Sequence, residues 1–275
     1  MRSSIVANPH AVVTPPFWGT KVITDIPLTQ VVGFINKNAL FKVQWGFKSG
    51  PLDSAAYAAH IKQDVEPILA RLVRENSAQP VLKLCAVYGY FPAFSEGNDI
   101  VLFDPQDHTR QVARLSFPRQ REKRQLCIAD FIAPMGSEKV DVMAMQVVTV
   151  GQGASDFARD LFAADRYQDY LYWHGLNVET TEALAEYIHK RIRVELGFAK
   201  HEPRDMKELF KQKYHGSRYS FGYPACPCLE DQTVLLDLLD AERIGVRLSD
   251  EYQLWPEEST SAIVIYHEKA KYFTP

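Results

Sequence analysis

Between Val81 and Val150 the apolar residues follow the period of strands, whereas the flanking segments follow the period of helices. The strand-like runs are Val81–Phe91, Asp99–Phe103, Gln111–Leu115, Leu126–Ile132 and Asp141–Val150. They are rich in β-branched and aromatic residues and are divided by turn residues such as Glu96-Gly97-Asn98-Asp99. Connections this short make antiparallel neighbours. Before the strand block, residues 53–76 predict a helix: Ala58, Ile61, Val65, Ile68 and Leu72 recur at helical spacing. Asp53 or Ser54 is the expected N-cap, and Pro67 is expected to kink the helix. Residues 27–48 carry Phe34, Leu40, Phe41, Trp45 and Phe47 and should dock on the core as a short amphipathic stretch. After the block, helices are expected over about 153–200, 204–213 and 230–239, and short strands near 243–247 and 261–266. Helices, strands, helices and closing strands make an α+β fold, a twisted and mainly antiparallel sheet flanked by helices. Residues 1–20 hold Pro9, Pro15 and Pro16 with little periodicity and read as an arm or interdomain linker, leaving 21–275 as one domain. There is no internal repeat.

Composition narrows the function. The 275 residues are 46% hydrophobic and 24% charged, with a net charge of −3. That balance argues against nucleic acid as the partner, which calls for a basic surplus. The basic cluster Arg119–Arg124 reads as a solvated loop or strand edge. The first residues, MRSSIVANPHAVV, contain no apolar core of signal-peptide length, and no run approaches the roughly 20 apolar residues of a membrane span. Cys85 and Cys127 lie in apolar runs. A reducing, cytoplasmic setting without disulfides is expected.

Three groups of residues could carry chemistry. On the helix from 178 to about 196, Glu182, Glu186, His189 and Arg193 share one face. That face could be a solvated charged surface, a ligand-facing carboxylate, or half of a metal site through Glu186-x-x-His189. The second carboxylate–histidine pair that such a metal site needs is absent. Cys226-Pro-Cys228 offers two thiols but no completing ligand set. The stretch RYSFGYPACPCLE brings Arg218, a guanidinium suited to a carboxylate, next to Gly222-Tyr223-Pro224. There glycine permits close backbone approach, tyrosine offers an aromatic face, and Pro224 and Pro227 stiffen the loop. A structural turn and a site for a ligand bearing a carboxylate, an aromatic base and a positive charge both fit. Phosphate-loop, dinucleotide-binding and serine-hydrolase motifs are absent.

RYSFGYPACP resembles the Arg-x-x-x-Gly-Tyr-Pro-x-x-Pro signature of the activation domain of cobalamin-dependent methionine synthase. In the same order along the chain, GYFPAFSEGNDIVLF, LCIADFIAP, TEALAEYIHKRIRVELG and IGVRLSDEYQLWPEESTSAIVIYHEKAKYF resemble further segments of that family, from about residue 27 to 273. The resemblance implies a domain over 21–275 that binds S-adenosylmethionine. Its methyl group would be presented for reductive remethylation of cob(II)alamin held on another domain or chain. The implied partners are the cobalamin-binding domain of methionine synthase and a flavodoxin-like or reductase electron donor. By position, Arg218 would engage the methionyl carboxylate and Glu182 the amino group. Tyr223 and the backbone of Tyr219, Ser220 and Phe221, with Gly222 and Pro224, would surround the adenosine. Tyr272 matches a tyrosine near the reactive end, and Asn36, or else Asn38, stands where many members carry Asp. Tyr219-Ser220-Phe221 is bulkier than the family's usual Pro-Ala-x. No catalytic residue and no metal ligand is implied, since the role is to position a methyl group. The chain would belong to the enzyme 5-methyltetrahydrofolate–homocysteine methyltransferase but should turn over nothing alone. It lacks an Asp-x-His-x-x-Gly cobalamin motif, so a fragment of a longer polypeptide and a free-standing activation protein are both open. The alternative is a small-ligand- or metal-binding protein without a methyl-transfer role.

Overall fold

The computed structural model describes Ser3, Val6 and residues 12–122, 124–203 and 205–275. The chain enters through β1 (Gly19–Ile26) and a run of short helical turns that begins with α1 (Leu28–Val31). These turns bury Leu28, Val31, Ile35, Leu40, Phe41 and Trp45, so the 27–48 stretch docks on the core as expected. The next helix starts where Asp53 caps it: its carboxylate accepts the Ala56 N–H at 2.8 Å. It runs as α2 (Ser54–His60), a widened π turn (Ile61–Val65) and α3 (Glu66–Ala78). The widened turn precedes Pro67, whose missing N–H and ring cannot be accommodated within a regular helix.

The sheet follows: β2 (Leu84–Glu96), β3 (Asp99–Phe103), β4 (Gln111–Ser116) and β5 (Asp141–Thr149). Then come α4 (Gln152–Ala163), the 29-residue α5 (Tyr167–Glu195), α6 (Met206–Phe210), β6 (Ser217–Tyr219) and α7 (Gln232–Leu239). The chain closes with β7 (Arg247–Leu248), β8 (Leu254–Trp255) and β9 (Ser259–Ile265). Seven strands form the main sheet in the order β4-β3-β2-β5-β9-β6, with β1 also on β2, and every pairing is antiparallel. On one side β2 is shared end to end: β1 pairs with residues 84–90 and β3 with 93–96. β1 comes close because position 89 is glycine. A Cβ there would sit 2.5 Å from the Gly19 carbonyl oxygen.

Both faces of the sheet are covered, which is why its central strands read as nearly continuous apolar runs. Cys85, Val87, Phe91, Met143, Met145, Ile263 and Ile265 pack on one side with Leu235 and Leu239 of α7. Ala86, Tyr88, Tyr90, Ala144, Val148 and Val264 pack on the other with Leu184 and Ile188 of α5.

Several expectations need correction. Leu126–Ile132 is not a strand but a loop with a 3-10 turn at Ile128–Phe131. The cause is Asp130, whose carboxylate turns back to accept the Cys127 N–H and two N–H groups of Arg119 at 2.6 and 2.8 Å. Residues 241–244 form a 3-10 turn, so the closing strand expected at 243–247 shrinks to β7. β1 and β6 were not anticipated as strands. Much of the arm expected at 1–20 lies outside the described residues. Of its described part, Val13, Phe17 and Trp18 pack on the α5 side and Gly19 opens β1.

Candidate functional site

β6 ends the sheet, and a cavity of about 600 Å³ lies where it runs out beside β9. Alternation along the strand sends Arg218, opposite Val264, to the α5 side and Tyr219, opposite Ile263, to the α7 side. The cavity wraps around this end of β6. Arg218, Tyr219, Ser220, Phe221 and Tyr223 line one wall. Gln232 of α7, Leu254 of β8 and Ser259, Thr260 and Ser261 of β9 line the other. Glu182 of α5 and Tyr272 complete the mouth.

Each wall is held from behind. Gly222 adopts φ +87° and starts a tight turn in which its N–H donates to the Cys226 carbonyl at 2.9 Å and the Cys226 N–H to the Tyr223 carbonyl at 2.8 Å. The turn leaves Tyr223 59% exposed at the rim and buries Cys226, whose thiol burial pushes up in pKa. Cys228 is exposed, and both cysteines are free thiols. The Tyr219 hydroxyl donates to the Lys271 carbonyl at 3.1 Å, and Lys271 Nζ donates to the carbonyls of Gln212 and Tyr214. The neighbouring Tyr272 is thereby presented at the mouth, 43% exposed. Ser261 donates to Gln232 Oε1 at 2.8 Å, while Gln232 Nε2 donates to the Tyr252 carbonyl at 3.0 Å.

Arg218 and Glu182 form an ion pair at 3.2 Å at the junction with a second cavity of about 430 Å³. That cavity shares Glu182, Arg218 and Tyr272 with the first and adds Asn36, Glu179, Glu186 and Tyr214. Burial raises the pKa of Glu179. The Asn36 side-chain oxygen accepts the N–H groups of Asn38 and Ala39 at 3.2 and 3.3 Å, so part of its polarity serves the following turn.

Of the residues singled out from sequence, Arg218, Glu182, Tyr219, Ser220, Tyr223 and Tyr272 line the first cavity. Asn36 lines only the second. Gly222 and Pro224 line neither and shape the turn instead. Gln232, Ser259, Thr260 and Ser261 received no role from sequence. The available signal was the run of three hydroxyl residues in an otherwise apolar strand.

The α5 face of Glu186, His189 and Arg193 is not solvated: the three are 8%, 0% and 0% exposed. Arg193 donates to Glu186 at 3.2 Å and to Glu202, and lies 4.0 Å over the Tyr214 ring. Burial pushes His189 down to about 4, so its imidazole is neutral at pH 7. Burial also opposes ionisation of Glu186, but His189, Arg193 and Arg218 outweigh it and hold the carboxyl below its usual range. Among the described residues no cluster of three or more His, Cys, Asp and Glu is placed to hold a metal, and no helix is long and apolar enough to cross a membrane.

The family described as vitamin B12 dependent methionine synthase, activation domain, matches residues 27–275. Methionine synthase of Mycobacterium tuberculosis is 44% identical over 99% of this chain, and that of Mycobacterium leprae 45% identical over 94%. The chain spans 24% and 23% of the length of these relatives. A crystal structure of the MetH reactivation domain bound to AdoHcy superposes with a TM-score of 0.85 at 26% identity, covering 96% of this chain and 83% of the other. The chain belongs to the family of the vitamin B12-dependent methionine synthase activation domain.

Proposed function

We propose that residues 21–275 bind S-adenosylmethionine at the end of β6 and present its methyl group to a cobalamin held on another domain of methionine synthase. The observation that carries this reading is the Arg218–Glu182 pair set at the mouth of a cavity walled by aromatic rings and hydroxyls. The ligand needs a guanidinium for its carboxylate, an anion for its ammonium and a flat apolar wall for its adenine. At about 600 Å³ the cavity lies in the roughly 300–1,000 Å³ range of small-molecule sites. The structural neighbour's bound AdoHcy supports the same ligand class.

The donor set fits, and each residue has a definable task. Arg218 binds the carboxylate and Glu182 the ammonium, so their mutual ion pair gives way to two ligand contacts. Tyr223 and the Tyr219–Phe221 backbone flank the adenosine. Tyr272, fixed through Lys271, borders the reactive end, and Asn36 supplies a neutral polar group from the second cavity. A bound cobalamin would supply the methyl-accepting metal centre. This chain supplies orientation and exclusion of water, with no proton transfer asked of any side chain. The reading carries with it a flavodoxin-like or reductase electron donor and a cytoplasmic setting, which the four free cysteines suit.

Calorimetric titration with S-adenosylmethionine tests the proposal. The parent chain should bind one equivalent. Arg218→Ala should weaken binding on the order of tenfold or more, since a hydrogen bond to a charged group contributes roughly 1.5–3 kcal/mol. A parent that binds none would overturn the reading.

A further inference from the structure

We propose that Glu186 is a positioning residue for ligand recognition: buried behind Arg218, it keeps that guanidinium aimed into the cavity when Glu182 turns away to a ligand. This rests on the ligand reading above. Along one stripe of α5 and its covering segment the charges alternate in sign: Glu182, Arg218, Glu186, Arg193, Glu202. Successive separations are 3.2 Å between Glu182 and Arg218, 4.0 Å between Arg218 Nε and Glu186 Oε2, and 3.2 Å between Glu186 and Arg193. Arg193 and Glu202 close the series in direct contact.

The two arginines depend on Glu186 differently. Arg193 already has Glu202 on its Nε and Nη2 and the Tyr214 ring beneath it. Arg218 has, among the described residues, only Glu182 and Glu186 as anionic partners. Glu182 is largely exposed and free to swing, whereas Glu186 is buried on a helix held against the sheet. Once an ammonium draws Glu182 off, Glu186 is the remaining counter-charge. It faces the Nε edge of Arg218, which leaves an Nη edge for a bidentate carboxylate. The fixed anion also keeps an otherwise mobile arginine from losing rotamer freedom only on binding.

Glu186→Gln keeps the shape and an acceptor but removes the charge. It should weaken S-adenosylmethionine binding roughly tenfold. It should also move the Nε–H resonance of Arg218 in a 15N-labelled sample without ligand. Glu202→Gln removes an equal charge from Arg193 without touching Arg218. It should leave the Arg218 resonance in place and the affinity within about twofold. The inference is overturned if Glu186→Gln leaves affinity unchanged, if it weakens binding without moving that resonance, or if Glu202→Gln has the same two effects. Should the parent bind no S-adenosylmethionine, the ligand reading falls by itself, and the ligand-free resonance alone decides whether Glu186 orients Arg218.

Discussion

Two residues beside the cavity, His189 buried and Gly222 exposed in the turn at its rim, each have a measurable consequence. His189 is fully buried, with neither ring nitrogen in a good hydrogen bond, and burial lowers its pKa from 6.5 to about 4. The unfolded chain therefore takes up a proton below pH 6.5 that the folded chain refuses until about 4. Stability present above that window is lost as the pH falls through it. Between pH 7 and 5 the parent should lose about 2 kcal/mol in urea unfolding from this residue, and His189→Gln should flatten the slope. An unchanged slope in the variant would show that another group titrates. Gly222 is the second case. At φ +87°, with Leu229 Cδ2 only 3.0 Å from where a Cβ would stand, alanine is strained both in backbone and in space. Gly222→Ala should cost about 1–2 kcal/mol in thermal unfolding. It should also weaken ligand binding, because Tyr223 and Leu229 move with the turn. Full retention of both would mean that neither the fold nor the site depends on the turn.

At the scale of elements, what the sequence made legible depended on whether local pattern or distant contacts decided the outcome. β2, β3 and β5 announce themselves because both sheet faces are covered and the runs are apolar throughout. The helix beginning at Asp53 is equally plain, since its cap lies three residues from the N–H it accepts. Leu126–Ile132 looks like a strand because LCIADFI is apolar. The structure differs because one charged residue inside that run, Asp130, is paid for by an arginine eleven positions earlier. That pairing yields a prediction. Asp130→Ala leaves Arg119, with an 18% exposed side chain, without its carboxylate and frees the turn's Cys127 N–H. The expected loss is about 2–4 kcal/mol, read as a lower urea midpoint with an unchanged slope. A loss below about 0.5 kcal/mol would mean that the turn does not depend on the pair. The α5 stripe shows the same limit from the other side. Helical spacing groups Glu182, Glu186, His189 and Arg193 correctly, but charge alone reads as solvent. Their burial comes in part from Glu202 and Tyr214, which close over Arg193 from beyond the end of the helix, and no local pattern encodes that.

On the scale of the whole molecule, the candidate site is assembled from parts far apart in sequence: α5, the β6 turn, α7, the start of β9 and Tyr272. Arg218 and the glycine–tyrosine–proline turn were legible because they are contiguous. Gln232 and the Ser259–Ser261 hydroxyls were not, because only sheet pairing and the packing of α7 bring them opposite. The cavity opens where β6 runs out, with two exposed tyrosines, Tyr223 and Tyr272, at its rim. A ligand held there can be met from outside by a second domain without any opening of the core. The proposed function then divides between binding, complete in this chain, and transfer, which needs the other domain. The chain mixed with S-adenosylmethionine and a reductant should form no S-adenosylhomocysteine above background. Addition of a separately produced cobalamin-binding domain should start its formation, one equivalent per cobalamin. If Arg218 acts in binding, as proposed, Arg218→Ala should slow that single turnover at sub-saturating S-adenosylmethionine, with much of the rate regained at high concentration. Product formed by the chain alone would contradict the division, and a rate that high ligand leaves low would move Arg218 from binding into alignment of the methyl group.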